Sequence, residues 1–393
     1  MNGYDYCKQL VFNFDSVKTT EYQQCTRCVM DTSDPIITFN DKGECNHCAE
    51  FIEKRSLHKY QGEISDLKLA ETIAEIKKSG KGKEFDCVVG LSGGIDSSYA
   101  AYIAKKHGLR VLAVHMDNGW NSEEAVLNIK NIAQKLDIEY ESYVLDWHEF
   151  KDLQLAFLKA SVPEADTPTD IAILSALHKV AAKYGIKHVI SGGNFTTEGI
   201  LPKHWHYNAK DLTYFSHIYK KFGTGRLRKF PTFGFLSEMY YKFVKGIKMV
   251  YLLNYVPFDK EEAVELLKKE LDWKYYGGKH YESKYTGFIQ SYYLYEKFGI
   301  DYRRATYSSQ ICVGAADREN ALEVLRTKSY SDEKVKEEKK YIAKKLGVSE
   351  QEFEEILKLP PRWYADYPND EKRLRFIYNT YRKLFKKEKL GSF

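Results

Sequence analysis

The stretch Ser92–Ser98, which reads SGGIDSS, has the residue types of an anion-binding loop. It follows the apolar run CVVGL and precedes an apparent helix. Glycines allow backbone angles at which main-chain N–H groups converge on one point, and the start of a helix adds further N–H groups and a positive dipole end. A phosphate is therefore the expected ligand. The stretch matches neither G-x-x-x-x-G-K-[ST] nor G-x-G-x-x-G, the common nucleotide-binding loops.

Four of the seven cysteines form two close pairs, Cys25 with Cys28 and Cys45 with Cys48, with sixteen residues between the pairs. This spacing is typical of a zinc site, and four thiolates make a closed tetrahedral site with a structural role. We therefore predict one structural zinc ion. An iron–sulfur cluster is the alternative metal group, and four unliganded thiols are the alternative without metal. His47, inside the second pair, is expected to be a spectator.

Alternating strands and helices must position the loop. Strands are predicted at FDCVVGL, RVLAVHMD, YESYVLD, IKHVISGGN and MVYLLNYVPF, with helical patterns between them. This alternation predicts an α/β fold with a doubly wound parallel sheet. Ligands of such sheets bind beyond the carboxyl ends of the strands, near a switch point. Two Ser-Gly-Gly turns, at Ser92 and Ser191, lie at such ends.

The chain has 393 residues, enough for about two or three domains. We predict a zinc-ribbon-like module at 1–60, a helical linker at 61–84, the nucleotide-binding α/β domain at 85–272, and a helical C-terminal region at 273–393 that binds substrate or partner. The metal module is too short to have a core of its own and needs the metal as a staple.

The net charge of +5 does not demand a nucleic-acid partner, and none is expected. No apolar run reaches the roughly 18 residues of a membrane span, and the first residues lack a signal-peptide layout. Paired cysteines of the metal-binding type indicate a reducing compartment, so a cytoplasmic location is expected.

The SGGIDSS loop resembles the SGGxDS loop of the PP-loop ATP pyrophosphatase superfamily, whose members split ATP between its α- and β-phosphates and adenylate a substrate oxygen. The resemblance implies catalytic roles for Ser92 and Asp96, and Asp96 suits magnesium. It also implies a set of loop residues that bind ATP: Ser92, Gly93, Gly94, Asp96, Ser97 and Ser98. The alternative without a ligand is a tight strand–helix turn.

Two further segments resemble the same superfamily. VHMDNG corresponds to the place where adenine is held through the backbone of His115 and Met116. SGGNFTTEG resembles a Gly-x-Asn…Glu element, in which Gly193 and Asn194 bind the nucleotide and Glu198 has a catalytic role facing a metal or the phosphates. The alternative for Glu198 is an acidic residue that only stabilises a helix start.

The wider layout resembles the N-acetyl sugar amidotransferase family, the WbpG/PseA-like proteins, from Cys25 to about Leu325. The matching segments are CTRCVMDTSDPIITFNDKGECNHC, GGKHYESKYTGFIQSYYLYEKFGIDYRRA and SSQICVGAADRENAL, the last with Asn320 where an acid is expected. The resemblance implies that ATP activates a sugar acetamido oxygen and that ammonia then replaces AMP, leaving an acetamidino group. It also implies a nucleotide-linked N-acetyl sugar as substrate.

A separate glutaminase is the expected source of ammonia. Cys87 lies in a core strand, Cys7 is near the N-terminus, and Cys312 lacks a recognisable nucleophile elbow. None of them reads as a glutaminase nucleophile, and the family resemblance implies the same partner.

Substrate contacts are expected from the C-terminal region and from one tryptophan. Arginines suit a diphosphate because of their planar donor fork, and a tryptophan ring suits stacking on a sugar. Lys279 is predicted to be catalytic. The predicted substrate-binding residues are His280, Glu282, Ser283, Arg303, Arg304 and Trp205. A solvated or packing role is the alternative for each.

Two rival functions remain open from the sequence. A tRNA thiolase also combines an ATP loop of this type with Cys-x-x-Cys metal elements, but it needs a strongly basic face and either a reactive cysteine near the nucleotide or thiols that bind a cluster. A nucleotide-binding regulator without catalysis is the other.

Overall fold

The computed structural model describes residues 21–58, 62–205, 209–278 and 281–385. Its central feature is a five-stranded parallel sheet with the order β3-β2-β1-β4-β5. The strands are β1 (Cys87–Gly90), β2 (Val111–Asp117), β3 (Glu139–Val144), β4 (His188–Ile190) and β5 (Lys248–Val250). The chain adds β2 and β3 on one side of β1, and it then crosses over to add β4 and β5 on the opposite side of β1. This order confirms the predicted doubly wound sheet.

The switch point of the sheet lies between β1 and β4. Val88 on β1 is opposite Leu112 of β2 on one side and Val189 of β4 on the other. The two Ser-Gly-Gly turns follow β1 and β4 directly. They therefore emerge side by side at the edge where ligands of doubly wound sheets bind.

Seventeen α-helices surround the sheet within the described ranges. Those up to β5 are α1 (Asn46–His58), α2 (Gly62–Gly80), α3 (Ile95–Lys106), α4 (Glu123–Lys135), α5 (Trp147–Ala160), α6 (Thr167–Lys183), α7 (Phe195–Glu198), α8 (Leu212–Phe222) and α9 (Phe235–Met239). Those after β5 are α10 (Lys260–Leu271), α11 (Lys284–Phe288), α12 (Leu294–Phe298), α13 (Tyr302–Val313), α14 (Arg318–Leu325), α15 (Asp332–Leu346), α16 (Glu350–Lys358) and α17 (Glu371–Phe385). Single π-helical turns follow α9 and α11. The C-terminal region is thus helical, as predicted.

Helices cover both faces of the sheet. On one face α2, α3 and α10 contribute buried side chains such as Ile73, Ile103 and Leu267 to a shared apolar cluster. On the other face α6 contributes Leu177 and Val180. Burial on both sides explains why β1 and the first half of β2 are continuous apolar runs rather than alternating ones.

A third apolar cluster joins residues 21–58, here called the cysteine module because they carry the four paired cysteines, to the C-terminal helices. Phe51 of α1 stacks on Phe195 of α7 with ring centroids 4.3 Å apart. The same cluster contains Tyr285, Phe288 and Phe353 from α11 and α16. The module therefore packs on helices that come much later in the chain.

The fifth predicted strand is only partly a strand. β5 ends at Val250, and Leu252–Asn254 form a 3₁₀ turn. Leu252 and Leu253 are buried in this turn, and Asn254 Oδ1 accepts a hydrogen bond from Phe195 N at 2.7 Å. The turn thus anchors the start of α7. Throughout the described ranges, no helix is both long enough and apolar enough to cross a membrane.

Candidate nucleotide site and metal centre

The turn after β1 requires glycine at position 93. Gly93 has φ of +80°, and a β-carbon there would stand 2.4 Å from the carbonyl oxygen of Ala125. The Gly93 carbonyl oxygen accepts hydrogen bonds from Asn128 Nδ2 at 3.2 Å and from Trp273 Nε1 at 3.0 Å. Side chains from α4 and from the segment after α10 therefore fix the orientation of this peptide.

The serines of the loop differ in orientation. Ser97 Oγ accepts a hydrogen bond from Ser92 N at 3.2 Å, and Gly94 N donates to Ser92 Oγ at 3.2 Å. Ser92 is exposed, while Asp96 and Ser97 are half-buried. Ser98 is fully buried, and its hydroxyl has no hydrogen-bond partner within the described residues. Its contact with ATP stays a prediction.

The two Ser-Gly-Gly turns touch through their backbones. A β-carbon on Gly192 would stand 2.7 Å from Ser97 N. Any larger residue at position 192 would push the turns apart, so glycine is required by close approach rather than by backbone angle. The turns form one continuous rim at the switch point.

The second turn carries Gly193, Asn194 and Glu198 at the start of α7. A β-carbon on Gly193 would stand 3.3 Å from Glu198 Oε2, so this carboxylate faces the turn. Asn194 is fully buried, and its Oδ1 accepts a hydrogen bond from Thr197 N at 2.9 Å. Asn194 thus caps α7, and its side chain supports the turn from behind.

His115 and Met116 end β2 next to the rim. The His115 ring donates from Nδ1 to the Leu91 carbonyl at 3.1 Å and accepts at Nε2 from Asn121 Nδ2 at 3.1 Å. Burial lowers the pKa of His115, which keeps the ring neutral near pH 7. Met116 is half-buried and packs on the third apolar cluster. Both residues therefore lie at the strand end expected to face adenine.

The C-terminal region meets the loop through Glu282 and Ser283. Ser122 N donates to the Glu282 carbonyl at 2.8 Å, and Ser283 pairs with Asn121 in an antiparallel bridge. A β-carbon on Gly94 would stand 2.8 Å from Glu282 Oε1. The Glu282 carboxylate thus lies directly against the predicted phosphate-binding turn.

Tyr276 also contacts the loop that Glu282 touches. Its hydroxyl oxygen accepts a hydrogen bond from Ile95 N at 3.2 Å. Burial raises the pKa of Tyr276, and the negative charges of Glu282 and Asp96 raise it further. Asp96 and Glu282 are thus two carboxylates beside one turn, and carboxylates together with phosphate oxygens are the ligands that Mg²⁺ prefers. These residues could hold a magnesium–phosphate complex.

Three acidic residues that the sequence analysis did not single out form what we call the acid recess: Glu164, Asp166 and Asp170. Burial raises the pKa of Glu164 to about 7 and that of Asp166 to about 6. Burial, and then the charge of Asp166, raises the pKa of Asp170 to about 7. Asp170 is exposed, Asp166 is half-buried and Glu164 is buried.

The hydrogen bonds of the acid recess come from hydroxyl groups. Tyr214 donates to Glu164 Oε2 at 3.1 Å, and Thr169 donates to Asp166 Oδ1 at 2.6 Å. Thr286 Oγ1 also donates to Asp166, through Oδ2 at 2.7 Å. In the sequence, PEADTPTD looks like an ordinary helix start, and three acidic residues within eight positions are the feature that could have indicated this cluster.

The four predicted metal ligands converge. The sulfur atoms lie 3.9 Å apart for Cys25 and Cys48, 3.7 Å for Cys28 and Cys45, and 3.7 Å for Cys45 and Cys48. All four lie within 4.8 Å of one another. Thiolates bound to one tetrahedral ion at about 2.3 Å stand roughly 3.8 Å apart, so the cluster can hold a single metal ion.

A fifth thiol borders this cluster. Cys312 Sγ, near the end of α13, lies 3.7 Å from Cys48 Sγ. Nothing in the spacing of the sequence pointed to this contact. His47 directs Nε2 to the buried carboxylate of Asp34 at 2.5 Å, and His204 Nδ1 lies 3.1 Å from the same carboxylate. His47 thus pairs with a carboxylate beside the metal cluster.

Three predicted substrate residues have other partners in the structure. Arg303 forms a two-pronged ion pair with Asp301, at 3.0 Å from Nε and 2.7 Å from its terminal nitrogen. Arg304 binds Asp31 at 2.9 Å and thereby holds the cysteine module. Trp205 is only 2% exposed, so its ring is packed inside the protein. In the structure these three side chains thus contact other parts of the protein, and their contacts with a diphosphate or a sugar stay predictions.

The remaining predicted residues fall into two groups. Glu282 and Ser283 reach the loop, as described above. Lys279 and His280 lie outside the described residues.

Two families match separate parts of the chain. Residues 68–180 match the family described as NAD synthase, and residues 282–384 match the family described as LPS biosynthesis protein WbpG-like, C-terminal domain. The second match begins at Glu282, the residue whose carboxylate lies against Gly94.

Curated relatives match the chain in part. The tRNA-specific 2-thiouridylase MnmA of Nitratiruptor sp. is 29% identical over 196 residues, which is 47% of this chain and 56% of that protein. The probable mitochondrial tRNA-specific 2-thiouridylase 1 of Caenorhabditis elegans is 27% identical over 32% of this chain and 36% of that protein. The chain therefore spans about half, or less, of the length of these relatives.

Among solved structures, the NMN synthetase of Francisella tularensis is 17% identical, with a TM-score of 0.33 over 76% of this chain and 98% of that one. The two family matches coincide with the two parts of the site. The NAD synthase match contains the first Ser-Gly-Gly loop, and the WbpG-like match contains Glu282, whose carboxylate lies beside that loop. Residues 68–180 thus belong to the NAD synthase family of the PP-loop ATP pyrophosphatase superfamily, and residues 282–384 belong to the WbpG-like C-terminal domain family.

Proposed function

We propose that this chain is an ATP-dependent, AMP-forming N-acetyl sugar amidotransferase, a carbon–nitrogen ligase. It converts an acetamido group of a nucleotide-linked sugar to an acetamidino group in bacterial surface polysaccharide or flagellar glycan biosynthesis. One observation carries the proposal. The segment that matches the WbpG-like family begins at Glu282 and puts that carboxylate against the ATP loop.

The reaction needs two steps because an amide carbonyl is a poor electrophile. The amide oxygen attacks the α-phosphorus of ATP, and pyrophosphate leaves. Ammonia then adds to the carbon, and AMP leaves with the former amide oxygen. Ser92, Ser97 and the N–H groups around Gly94 stabilise the charge of the leaving pyrophosphate. Asp96 and Glu282 would hold Mg²⁺, which would neutralise phosphate charge.

Zinc is the proposed metal of the four cysteines, and its role is structural. The sulfur spacing fits one tetrahedral ion, and the four thiolates leave no open position for a substrate. The metal module supports the C-terminal helices, which in turn bring Glu282 to the loop.

The proposed nitrogen source is ammonia from a separate glutaminase. Among the described residues, the only cysteines outside the metal cluster are Cys87 and Cys312. Burial raises the pKa of the Cys87 thiol, and Cys312 lies against the metal ligand Cys48. Cys87 therefore lacks the low thiol pKa and the access that a glutaminase nucleophile needs, and Cys312 lies at the border of the metal cluster.

A tRNA thiolase is the second candidate, because the curated relatives named above are thiouridylases. Such an enzyme needs a strongly basic face and either a reactive cysteine or cluster-binding thiols beside the nucleotide. Cys87 is fully buried in β1, and the second Ser-Gly-Gly turn carries Asn194 and Glu198 without a cysteine. The first candidate therefore fits the site better.

Purified protein should be incubated with ATP, ammonium and a panel of nucleotide-linked N-acetyl sugars, or with tRNA in place of the sugar. We expect AMP and pyrophosphate only with a sugar, together with a product in which nitrogen replaces the acetamido oxygen, detected by mass spectrometry. Asp96→Asn and Ser92→Ala should lower the rate by about 100-fold or more while the fold is retained. Release of ADP and phosphate, or dependence on tRNA, would contradict the proposal.

A further inference from the structure

The two edge strands of the sheet, β3 and β5, differ in how they are protected. β5 has three residues and begins with Lys248, whose Nζ binds Glu75 at 2.6 Å. Short length and lysine are two ways in which proteins keep an edge strand from pairing with another chain. β3 has six residues, EYESYV, with neither lysine nor proline. β3 is therefore the edge that is open to pairing.

Three residues of β3 direct their backbone groups away from the sheet. Leu145 N donates to the Asp117 carbonyl of β2 at 3.0 Å, so the backbone of Leu145 points toward β2. Because this direction alternates along a strand, the N–H and C=O groups of Tyr140, Ser142 and Val144 point outward. Within the described residues, no strand and no backbone hydrogen bond from a loop reaches these groups. They can therefore bond to a further strand.

The side chains of the same three residues form an exposed face at this edge. Tyr140 is 52% exposed and Val144 is 68% exposed, and Ser142 between them is also exposed. Tyr140 is in register with Ala113 of β2, which belongs to the apolar cluster under α4. The three side chains thus lie on the α4 face of the sheet but are not covered by it. An aromatic and a β-branched side chain stabilise a sheet when they stand opposite each other on neighbouring strands.

The other face of β3 carries charges. Lys183 of α6 binds Glu141 at 3.0 Å, and Lys179 Nζ lies 5.9 Å from the centre of the Tyr143 ring. Within the described residues, Lys179 has the Tyr143 hydroxyl as a partner at 3.5 Å and no carboxylate within salt-bridge distance. A carboxylate placed opposite Tyr143 would therefore meet this lysine.

We propose that two copies of this chain pair through antiparallel β3 strands, with the twofold axis at Ser142, so that the two sheets become one. All three outward-facing residues of each strand then form hydrogen bonds across the axis. Tyr140 stands opposite Val144 of the second copy, on the face that is otherwise exposed. This interface is separate from the proposed reaction and does not depend on it.

The charges of β3 favour this register. With the axis at Ser142, Glu141 stands opposite Tyr143 of the second copy and thus beside Lys179 of that copy. The twofold axis makes this contact twice. With the axis at Glu141, two carboxylates would stand directly opposite each other, which destabilises a strand pair.

The mass of the purified full chain in solution tests the dimer. Sedimentation at micromolar concentration should give twice the 45.7 kDa of one chain. Combining Tyr140→Lys with Val144→Lys puts lysines opposite each other on both sides of the axis, so the dissociation constant of the dimer should rise at least about tenfold. Leu236→Lys, at a residue of α9 that is 80% exposed, is the matched control and should leave the dimer unchanged. Circular dichroism checks that the variants fold.

Cysteine cross-linking tests the register. In a hydrogen-bonded antiparallel pair the Cα atoms are about 5.5 Å apart, which suits a disulfide, so mild oxidation should link two Ser142→Cys chains. Two Tyr140→Cys chains should not link, because the substituted residues would be offset by about 13 Å along the strands. Tyr140→Cys mixed with Val144→Cys should link. Wild-type protein is the control for links through the native cysteines.

Three results would overturn the inference. The first is a chain that is still monomeric at about 100 μM, where even weak association is populated. Slow hydrogen exchange of the Ser142 N–H in such a monomer would assign the edge to another segment of the same chain. The second is a dimer whose dissociation constant the double lysine variant does not change. The third is cross-linking of Tyr140→Cys chains as readily as of Ser142→Cys chains.

Discussion

Glu164 illustrates how a single buried carboxyl group ties stability to pH. It is 7% exposed, and Tyr214 donates to its Oε2 at 3.1 Å. Burial raises its pKa from 4.5 to about 7, because the charged form loses its hydration. The folded state therefore disfavours ionisation between these two values. The contribution of Glu164 to the free energy of unfolding is therefore fully present below pH 4.5 and is lost as the pH rises toward 7.

Replacing Glu164 with Gln should remove this pH dependence. At pH 8 we expect the variant to unfold with a free energy higher than that of the wild type by up to about 3 kcal/mol, since each pKa unit corresponds to about 1.4 kcal/mol. At pH 4.5 the difference should approach zero. Urea unfolding at both pH values measures this, with Glu71→Gln, an exposed site on α2, as the control. A variant that is less stable at both pH values would show that Glu164 contributes a needed hydrogen bond instead.

At the scale of elements, α13 and α14 hold the first cysteine turn through arginines. Arg318 donates to the Cys25 carbonyl at 2.9 Å and to the Cys28 carbonyl at 3.1 Å. Arg304 donates to the Val29 carbonyl at 2.9 Å. The backbone that presents two of the four thiols is therefore fixed by helices from the C-terminal region.

An Arg318→Met variant should release its metal faster. Loss of two charge-assisted hydrogen bonds weakens the turn by about 1.5–3 kcal/mol, which corresponds to roughly a 10- to 100-fold faster release. A coloured chelator added to the zinc-loaded protein follows the rate. Arg326→Met, exposed at the end of α14, is the control and should release zinc at the wild-type rate. Equal rates for all three proteins would show that the arginine contacts do not support the turn.

The sequence predicted the elements whose signals are local. The strand–helix alternation and the Ser-Gly-Gly turns were sufficient for the sheet, and the cysteine spacing was sufficient for the metal cluster. The contacts of Arg303 and Trp205 could not be predicted in this way. An arginine looks the same in the sequence whether it binds a ligand or Asp301, and a tryptophan looks the same whether it lines a pocket or packs in a core. The three acids were missed for the same reason: Asp166, for example, is contacted by Thr286 of α11 from 120 positions away, which no local pattern encodes.

At the scale of the whole molecule, the proposed site draws on distant parts of the chain. The ATP loop follows β1, the second Ser-Gly-Gly turn follows β4, and Glu282 comes from the C-terminal region. The proposed reaction also needs ammonia, which is scarce in its unprotonated form at neutral pH. A partner that releases ammonia next to this site would raise its effective concentration and keep the adenylate away from water.

The purified chain should therefore use ammonium salts and ignore glutamine. Addition of a cognate glutaminase should confer glutamine-dependent product formation, at a total ammonia concentration at least about tenfold below that needed with ammonium salt. Product formation with each nitrogen source is measured by mass spectrometry. A glutaminase whose nucleophile is replaced serves as the control and should restore nothing. Glutamine hydrolysis coupled to sugar amidation by the chain alone would contradict the prediction.

The contacts of the cysteine module have a consequence for synthesis on the ribosome. Val29 N bonds to Ser308 Oγ, 279 positions later, and Arg318 reaches the Cys25 carbonyl across 293 positions. At about 5–20 residues per second, the thiols emerge roughly 15–60 s before the helices that cover them. During that interval four thiols are open to oxidation, and early capture of the metal ion protects them. Production of active protein should thus depend on the zinc supply during translation, and metal added after purification should recover less of it.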